Sequence, residues 1–265
     1  MFNYNGFKQL CQADCYDLLD WLYDQLKDLY GNENVYSFSR WLLFKGKNPA
    51  CLCAHLDTVH KETIKEMFIE PEKGVIYSPQ GIGGDDRCGV WIILKILKSL
   101  EEGAELPSLF FSTDEEVGSA STKLACEWIK KEEPELMDDV RFFIQLDRKN
   151  TEDSIYYNCN NSDFEKYING YGFKTSYGTR TDICILCEQF DKAGVNLSCG
   201  FEGEHKVTET VNISTMLATT DKVLNIIKEA DKDVIYDYSP KVKTYHSGVG
   251  GNRCGYSAHD YDAYD

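Results

Sequence analysis

No stretch of this chain runs for about 18 consecutive apolar residues, the length a helix needs to cross a bilayer, so no membrane span is expected. Positive charge is scarce. Against 44 Asp and Glu there are 28 Lys and Arg, leaving a net charge of −16. Nucleic-acid binding through phosphates needs a basic surface, and this balance argues against it. The opening Met1-Phe2-Asn3-Tyr4-Asn5-Gly6 lacks the basic-then-apolar plan of a secretion signal, which leads to the expectation of a cytoplasmic protein. A disulfide framework is also missing from the pattern. The 11 cysteines are scattered and odd in number, as expected of reduced thiols that act mostly as small core residues. Cys184-Ile185-Leu186-Cys187 has C-x-x-C spacing, but neither a second pair nor a thioredoxin-like context accompanies it, so core packing is its expected role. No internal repeat, long linker or low-complexity block divides the chain.

What is present is enough apolar material, 42% of 265 residues, for a substantial globular core. The spacing of Phe7, Leu10, Leu18, Leu22, Leu26 and Leu29 predicts one amphipathic helix over residues 7–29, stopped by Gly31. Strands are expected over 35–45, 50–54, 106–112, 140–146, 154–157 and 195–199, with a turn at 46–49. Helices are expected over 89–100, 120–131, 183–193 and 212–230, the last capped by Asn212. This alternation predicts an α/β fold, a three-layer αβα sandwich around a mixed, mostly parallel sheet. Residues 231–265, rich in Tyr, Asp and Gly, form a distinct tail that either wraps the domain or is mobile.

Five motifs occur in turn along the chain, most of them at the ends of expected strands. The first is His55-Leu56-Asp57, in which an extended backbone sends both side chains to one face. Next comes Gly84-Asp85-Asp86-Arg87-Cys88-Gly89, glycine-bearing and read singly as a capped helix start. Asp114-Glu115-Glu116-Val117-Gly118 sets three acids directly after an apolar strand, an awkward arrangement unless a cation or solvent relieves it. Leu146-Asp147 ends a fourth strand, and Gly203-Glu204-His205 follows a fifth. Each has an ordinary reading as a turn or cap. Together they bring two imidazoles and several carboxylates to what should be one sheet edge, a ligand set suited to paired zinc or related ions.

In order and spacing, from about residue 50 to 215, these motifs resemble the zinc-dependent exopeptidase superfamily of aminopeptidases, carboxypeptidases and N-acyl amino acid deacylases. Glu209 beyond the last motif and Thr181-Asp182 before a helix extend the resemblance. It implies two divalent ions, zinc first, with cobalt or manganese as alternatives. It further implies that His55 and Asp147 hold one ion, Glu116 and His205 the other, and that Asp85 rather than Asp86 bridges them. Glu115 would be the general base, and Asp57 would orient His55 from behind. Three ligand carboxylates would offset most of the four positive charges.

Many relatives insert a lid domain between the fourth and fifth motifs. Here Asp147 and His205 are only 58 residues apart, and that interval is already filled by predicted strands and a helix. A single catalytic domain over residues 1–265, without a lid, is therefore expected. The Gly- and Tyr-bearing loop 169–180 would then supply substrate contacts, with Tyr177 and Arg180 as candidates beside Asp182. Cys53 shares its strand face with His55, so a thiolate ligand is conceivable, although packing is the simpler role. His60, His246 and His259 lack surrounding motifs and read as surface or structural residues. The leading expectation is amide hydrolysis by an aminopeptidase-type exopeptidase acting on peptides. The alternatives are an amidase or deacylase acting on N-acylated small molecules, and a non-catalytic metal-binding module on the same scaffold. Oligomeric state has no sequence signal.

Overall fold

The computed structural model describes residues 2–240; the expectations for His246, His259 and the tail beyond residue 240 lie outside the described residues. Two helices replace the single one expected over 7–29: α1 (Tyr4–Gln12) and α2 (Cys15–Tyr30). The chain turns extended at Ala13, and the Asp14 carboxylate accepts from Tyr16 N to start α2 afresh. An Asx cap of this kind competes with helix continuation, and the apolar spacing could not register it. The run 35–45 is likewise two strands, β1 (Val35–Phe38) and β2 (Trp41–Phe44), paired as an antiparallel hairpin. The expected turn at 46–49 is shorter, because Asn48 and Pro49 already belong to β3 (Asn48–His55).

The remaining elements are β4 (Phe68–Glu70), β5 (Val75–Tyr77), α3 (Gly84–Leu97), β6 (Pro107–Ser112), α4 (Ala120–Glu132), β7 (Phe142–Arg148) and β8 (Asp153–Ile155). Then come α5 (Ser162–Asn169), β9 (Lys174–Thr175), α6 (Asp182–Phe190), β10 (Gly194–Ser198), β11 (Phe201–Glu202), β12 (Thr210–Asn212) and α7 (Ile213–Glu229). Asn212 caps α7 as expected, accepting from Thr215 N. The sequence reading missed α5 and the short strands β4, β5, β9, β11 and β12, which are too brief to show a period. Among the described residues no helix is long and apolar enough to cross a membrane.

Eight strands form the main sheet in the order β1-β2-β6-β3-β7-β10-β8-β9. Its centre, β6-β3-β7-β10, is parallel throughout, while β1, β2 and β8 pair antiparallel at the flanks. Every residue of β3 and β6 is buried, as required of strands covered on both faces. Alternation along β3 divides the core. Leu52 and Ala54 join the cluster that contains the buried residues of α1, α2, α3, α5 and α7, whereas Cys51 and Cys53 join the cluster of α4 and α6. Cys53 is thus a packing residue, and burial raises its thiol pKa well above the ordinary value. Phe110, Phe111, Phe142 and Phe143 are completely enclosed; truncating any one to alanine would cost about 3–5 kcal/mol.

Register fixes what meets at the sheet edge. His55 pairs with Ser112 across β3–β6, Cys53 with Gln145 across β3–β7, and Ser198 with Arg148 across β10–β7. The carboxyl ends of all four central strands therefore lie side by side. A second, four-stranded antiparallel sheet, β11-β12-β5-β4, stands at this end. It makes residues 203–209 the tip of a hairpin and brings β5, which leads into the glycine turn before α3, alongside it.

Candidate metal centre

Two clusters sharing one residue form at this edge. In the first, His55, Asp85 and Asp147 bring ligand-type atoms within 4.8 Å of one another, and in the second Asp85, Glu116 and His205 do the same. His55 Nε2 lies 3.0 Å from Asp85 Oδ1 and 3.5 Å from Asp147 Oδ1. On the other side, His205 Nε2 is 3.4 Å from Asp85 Oδ2 and 3.0 Å from Glu116 Oε2. The two oxygens of Asp85 thus face different imidazoles. Asp86 turns away: it is fully buried and accepts from His55 N at 3.2 Å and Gly89 N at 3.0 Å. Burial, reinforced by the charge of Asp147, raises its pKa well above the carboxylate range.

Local backbone explains these directions. Asp85 and Asp86 have non-helical angles at the start of α3, so their side chains diverge instead of following the helix. His205 occupies the left-handed region at φ +64°, a conformation costing a non-glycine residue roughly 1–3 kcal/mol that the hairpin tip must sustain. Behind the first cluster, Asp57 faces His55 Nδ1 through Oδ1 at 3.2 Å, and its own backbone oxygen lies equally close to that nitrogen. The same carboxylate accepts from Glu115 N at 3.3 Å and Glu116 N at 3.2 Å. Asp57 therefore ties the β3 end to the acidic turn after β6.

Asp147 is held by residues the motifs did not single out. Thr181 Oγ1 donates to its Oδ2 at 2.7 Å, and the Gln145 and Asn196 amides approach the same oxygen at 3.2 Å and 3.4 Å. Gln145 Nε2 also donates to Thr181 Oγ1 at 2.7 Å. The Thr-Asp element thus reaches the centre through its threonine. Asp182 is 1% exposed, accepts from Ser112 Oγ, and is not among the residues lining the cleft. Tyr177 is 90% exposed and also stands outside the cleft lining, whereas Arg180 lines it. The cleft, about 140 Å³, is lined by the acids Asp85, Glu115, Asp147 and Glu204 and by the bases Arg148, Lys149 and Arg180, of which Lys149 pairs with Glu204 and Arg148 with Asp153.

The electrostatics are those of a centre lacking positive charge. Burial lowers the affinity of His55 for a proton, but Asp147, Asp57 and Asp85 outweigh it and raise its pKa well above the ordinary value. The hydrogen bond to Asp85 brings His205 up to about 9. Desolvation, then the charge of Asp147, lifts Glu115 to about 8. Desolvation, then Asp85, lifts Glu116 to about 7, and the same two causes lift Asp147 to about 6. Asp85 is the exception: its burial is overcome by His205 and His55, which hold it well below the carboxylate range. Among the described residues Glu116 Oε1 is buried without a hydrogen-bond partner. Raised pKa values on clustered imidazoles and carboxylates, beside a buried carboxylate oxygen without a partner, mark a shortage of positive charge that dications would relieve, so the two His–carboxylate donor sets fit metal ions.

His60, read from sequence as surface or structural, lies behind this centre with Nε2 3.1 Å from Glu209 Oε2. No local signal marked it.

No family model and no curated protein matches this sequence. Solved structures do match. The aminopeptidase PepT of Bacillus cereus ATCC 10987 superposes with a TM-score of 0.63 at 14% identity, covering 85% of this chain and 97% of that chain. A tripeptidase of Staphylococcus aureus subsp. aureus Mu50 gives 0.60 at 14% identity, over 84% and 96% of the two chains. The LapA aminopeptidase of Legionella pneumophila gives 0.60 at 14% identity, over 87% and 70%. The fold of this chain is that of solved aminopeptidases, the αβα architecture that its sequence motifs lead one to expect.

Proposed function

We propose that the protein is a metal-dependent hydrolase that cleaves an amide bond at the end of a peptide, an exopeptidase of aminopeptidase type. The observation that carries this reading is the pair of His–carboxylate clusters sharing Asp85, with Glu115 at the wall of the same cleft. His55 and Asp147 would hold one divalent ion, Glu116 and His205 the other, and Asp85 both. Zinc suits these nitrogen and carboxylate donors, with cobalt or manganese as substitutes. When bound, such ions polarise a scissile carbonyl and lower the pKa of a water.

The rest falls to the chain's own groups. Among the described residues Glu115 has no side-chain partner that would spend its carboxylate elsewhere, and its raised pKa places it near the range where a group both accepts and returns protons. It takes a proton from the attacking water and delivers it to the leaving amine. Asp57 holds the backbone of Glu115 and the ring of His55, so base and ligand keep a fixed relation. Arg180, at the lining of the same cleft, offers donors to a carbonyl or carboxylate of the substrate. Between Asp147 and His205, strands β8, β9 and β10 join the main sheet, β11 joins the second sheet, and the buried apolar residues of α5 and α6 belong to the core clusters, which supports a compact catalytic domain without a lid.

The decisive experiment is Glu115→Gln. It is expected to abolish turnover while metal content stays at the wild-type value; full activity would refute the assignment. A panel of aminoacyl-anilides against N-acyl amino acids separates the aminopeptidase reading from a deacylase. Metal binding without hydrolysis of any amide in the panel would instead indicate a binding module.

A further inference from the structure

We propose that Glu209 and His60 form a positioning pair that fixes the turn at residues 81–85 and, through it, the direction of Asp85. This rests on the reading of Asp85 as the shared metal ligand. Glu209 belongs to neither cluster, and it is completely buried. A buried carboxylate must be compensated, and here every partner serves one segment. Oε1 accepts from Asp85 N at 2.9 Å, Oε2 accepts from Gly83 N at 3.0 Å, and His60 Nε2 closes on Oε2 at 3.1 Å. Charge-assisted bonds of this kind are about twice as strong as neutral ones, and two of them grip the backbone on either side of Gly84.

Packing agrees with the hydrogen bonds. Gly81 sits at φ +84°, where a Cβ would fall 2.3 Å from the His60 ring. A Cβ on Gly84 would meet Val211 Cγ2 at 2.6 Å and Phe201 Cβ at 2.9 Å. The turn is therefore pressed between His60 on one side and the β11–β12 hairpin on the other, with no room for a Cβ at Gly81 or Gly84. That hairpin also carries His205. One element thus supplies a ligand of the second cluster and clamps the backbone of the residue common to both. Because Asp85 lies outside helical geometry, its orientation depends on such external restraint. Glu209 touches no reacting atom; it acts through Asp85.

The test uses the full chain with Zn²⁺ or Co²⁺ alone, comparing wild type, Glu209→Gln and His60→Gln. The readouts are metal stoichiometry, affinity from chelator competition, the visible absorption bands of the Co²⁺ forms, and far-UV circular dichroism for the fold. A glutamine at 209 keeps the shape but sets an amide donor against a backbone donor. Glu209→Gln is expected to retain the fold, weaken metal binding by about 10–100-fold and shift the cobalt bands. His60→Gln, which leaves the two backbone bonds in place, is expected to weaken binding by about tenfold with a smaller spectral shift. Wild-type affinity and wild-type cobalt bands in Glu209→Gln would overturn the proposal. Should that variant fail to fold, His60→Gln decides, and an unchanged affinity and spectrum overturns it. Wild-type protein that binds no metal would overturn the metal-centre reading itself, whatever the variants do.

Discussion

Replacing Asp57 by asparagine isolates what the carboxylate behind His55 contributes. In the native structure Oδ1 accepts from Glu115 N and Oδ2 from Glu116 N, while His55 Nδ1 approaches both Oδ1 and the Asp57 backbone oxygen at 3.2 Å. Asparagine retains one acceptor oxygen and turns its amide group toward the other backbone N–H, donor against donor. His55 is less affected, because its Nδ1 keeps the backbone oxygen of residue 57 and therefore the same tautomer. The loss falls mainly on the acidic turn: one backbone donor is left unsatisfied, at about 1–3 kcal/mol. Since about 1.4 kcal/mol is a factor of ten, the expected consequence is a roughly 5–150-fold change. It should appear as a fall in kcat, because Glu115 is displaced, and as weaker binding at the Glu116–His205 cluster. The assay pairs kcat on an aminoacyl-anilide with Zn²⁺ affinity from competition with a chromophoric chelator. If Asp57→Asn leaves both within twofold of wild type, the turn does not depend on Asp57 and the reasoning fails.

The pKa pattern predicts the pH dependence of the metal-free protein. His205, Glu115, Glu116 and Asp147 all have folded-state values above their ordinary ones, so between about pH 4.5 and pH 9 the folded state binds more protons than the unfolded chain. Stability of the metal-free form is therefore expected to fall as pH rises through this window, measured as a declining melting temperature. Saturating Zn²⁺ should flatten or reverse that slope and release protons detectable by calorimetry in buffers of different ionisation enthalpy; a metal-free protein that gains stability across the window contradicts the picture. Arg180→Ala is expected to raise KM about tenfold with kcat little changed, the signature of a lost charged hydrogen bond to bound substrate. Unaltered kinetics would remove Arg180 from the substrate site.

Much of the centre was legible because its residues sit at strand ends. A buried parallel strand announces itself as a short apolar run, and the residue that follows it is delivered to the carboxyl edge of the sheet by geometry alone. His55, Glu115, Glu116 and Asp147 all obey this rule, so their convergence could be anticipated without a structure. Strands too short to repeat their own pattern were not legible. Strands β4, β5, β11 and β12 are two or three residues each, yet they build the second sheet that presents His205. The break between α1 and α2 was hidden for a different reason: the apolar spacing on either side of Ala13-Asp14 continues in phase, and only the Asp14 cap reveals the stop.

By itself the sequence determined the α/β architecture and the order in which histidines and carboxylates reach the sheet edge. Local chemistry and strand periodicity are sufficient for those. The tertiary structure alone decided which neighbours hold them. It brought Thr181 onto Asp147, put Arg180 at the cleft and Tyr177 outside it, and set His60 against Glu209, 149 residues further along the chain. No spacing rule reaches that far. Such pairings follow from the register and twist of whole sheets, and a buried carboxylate acquires its role only from the donors that the completed fold brings to it.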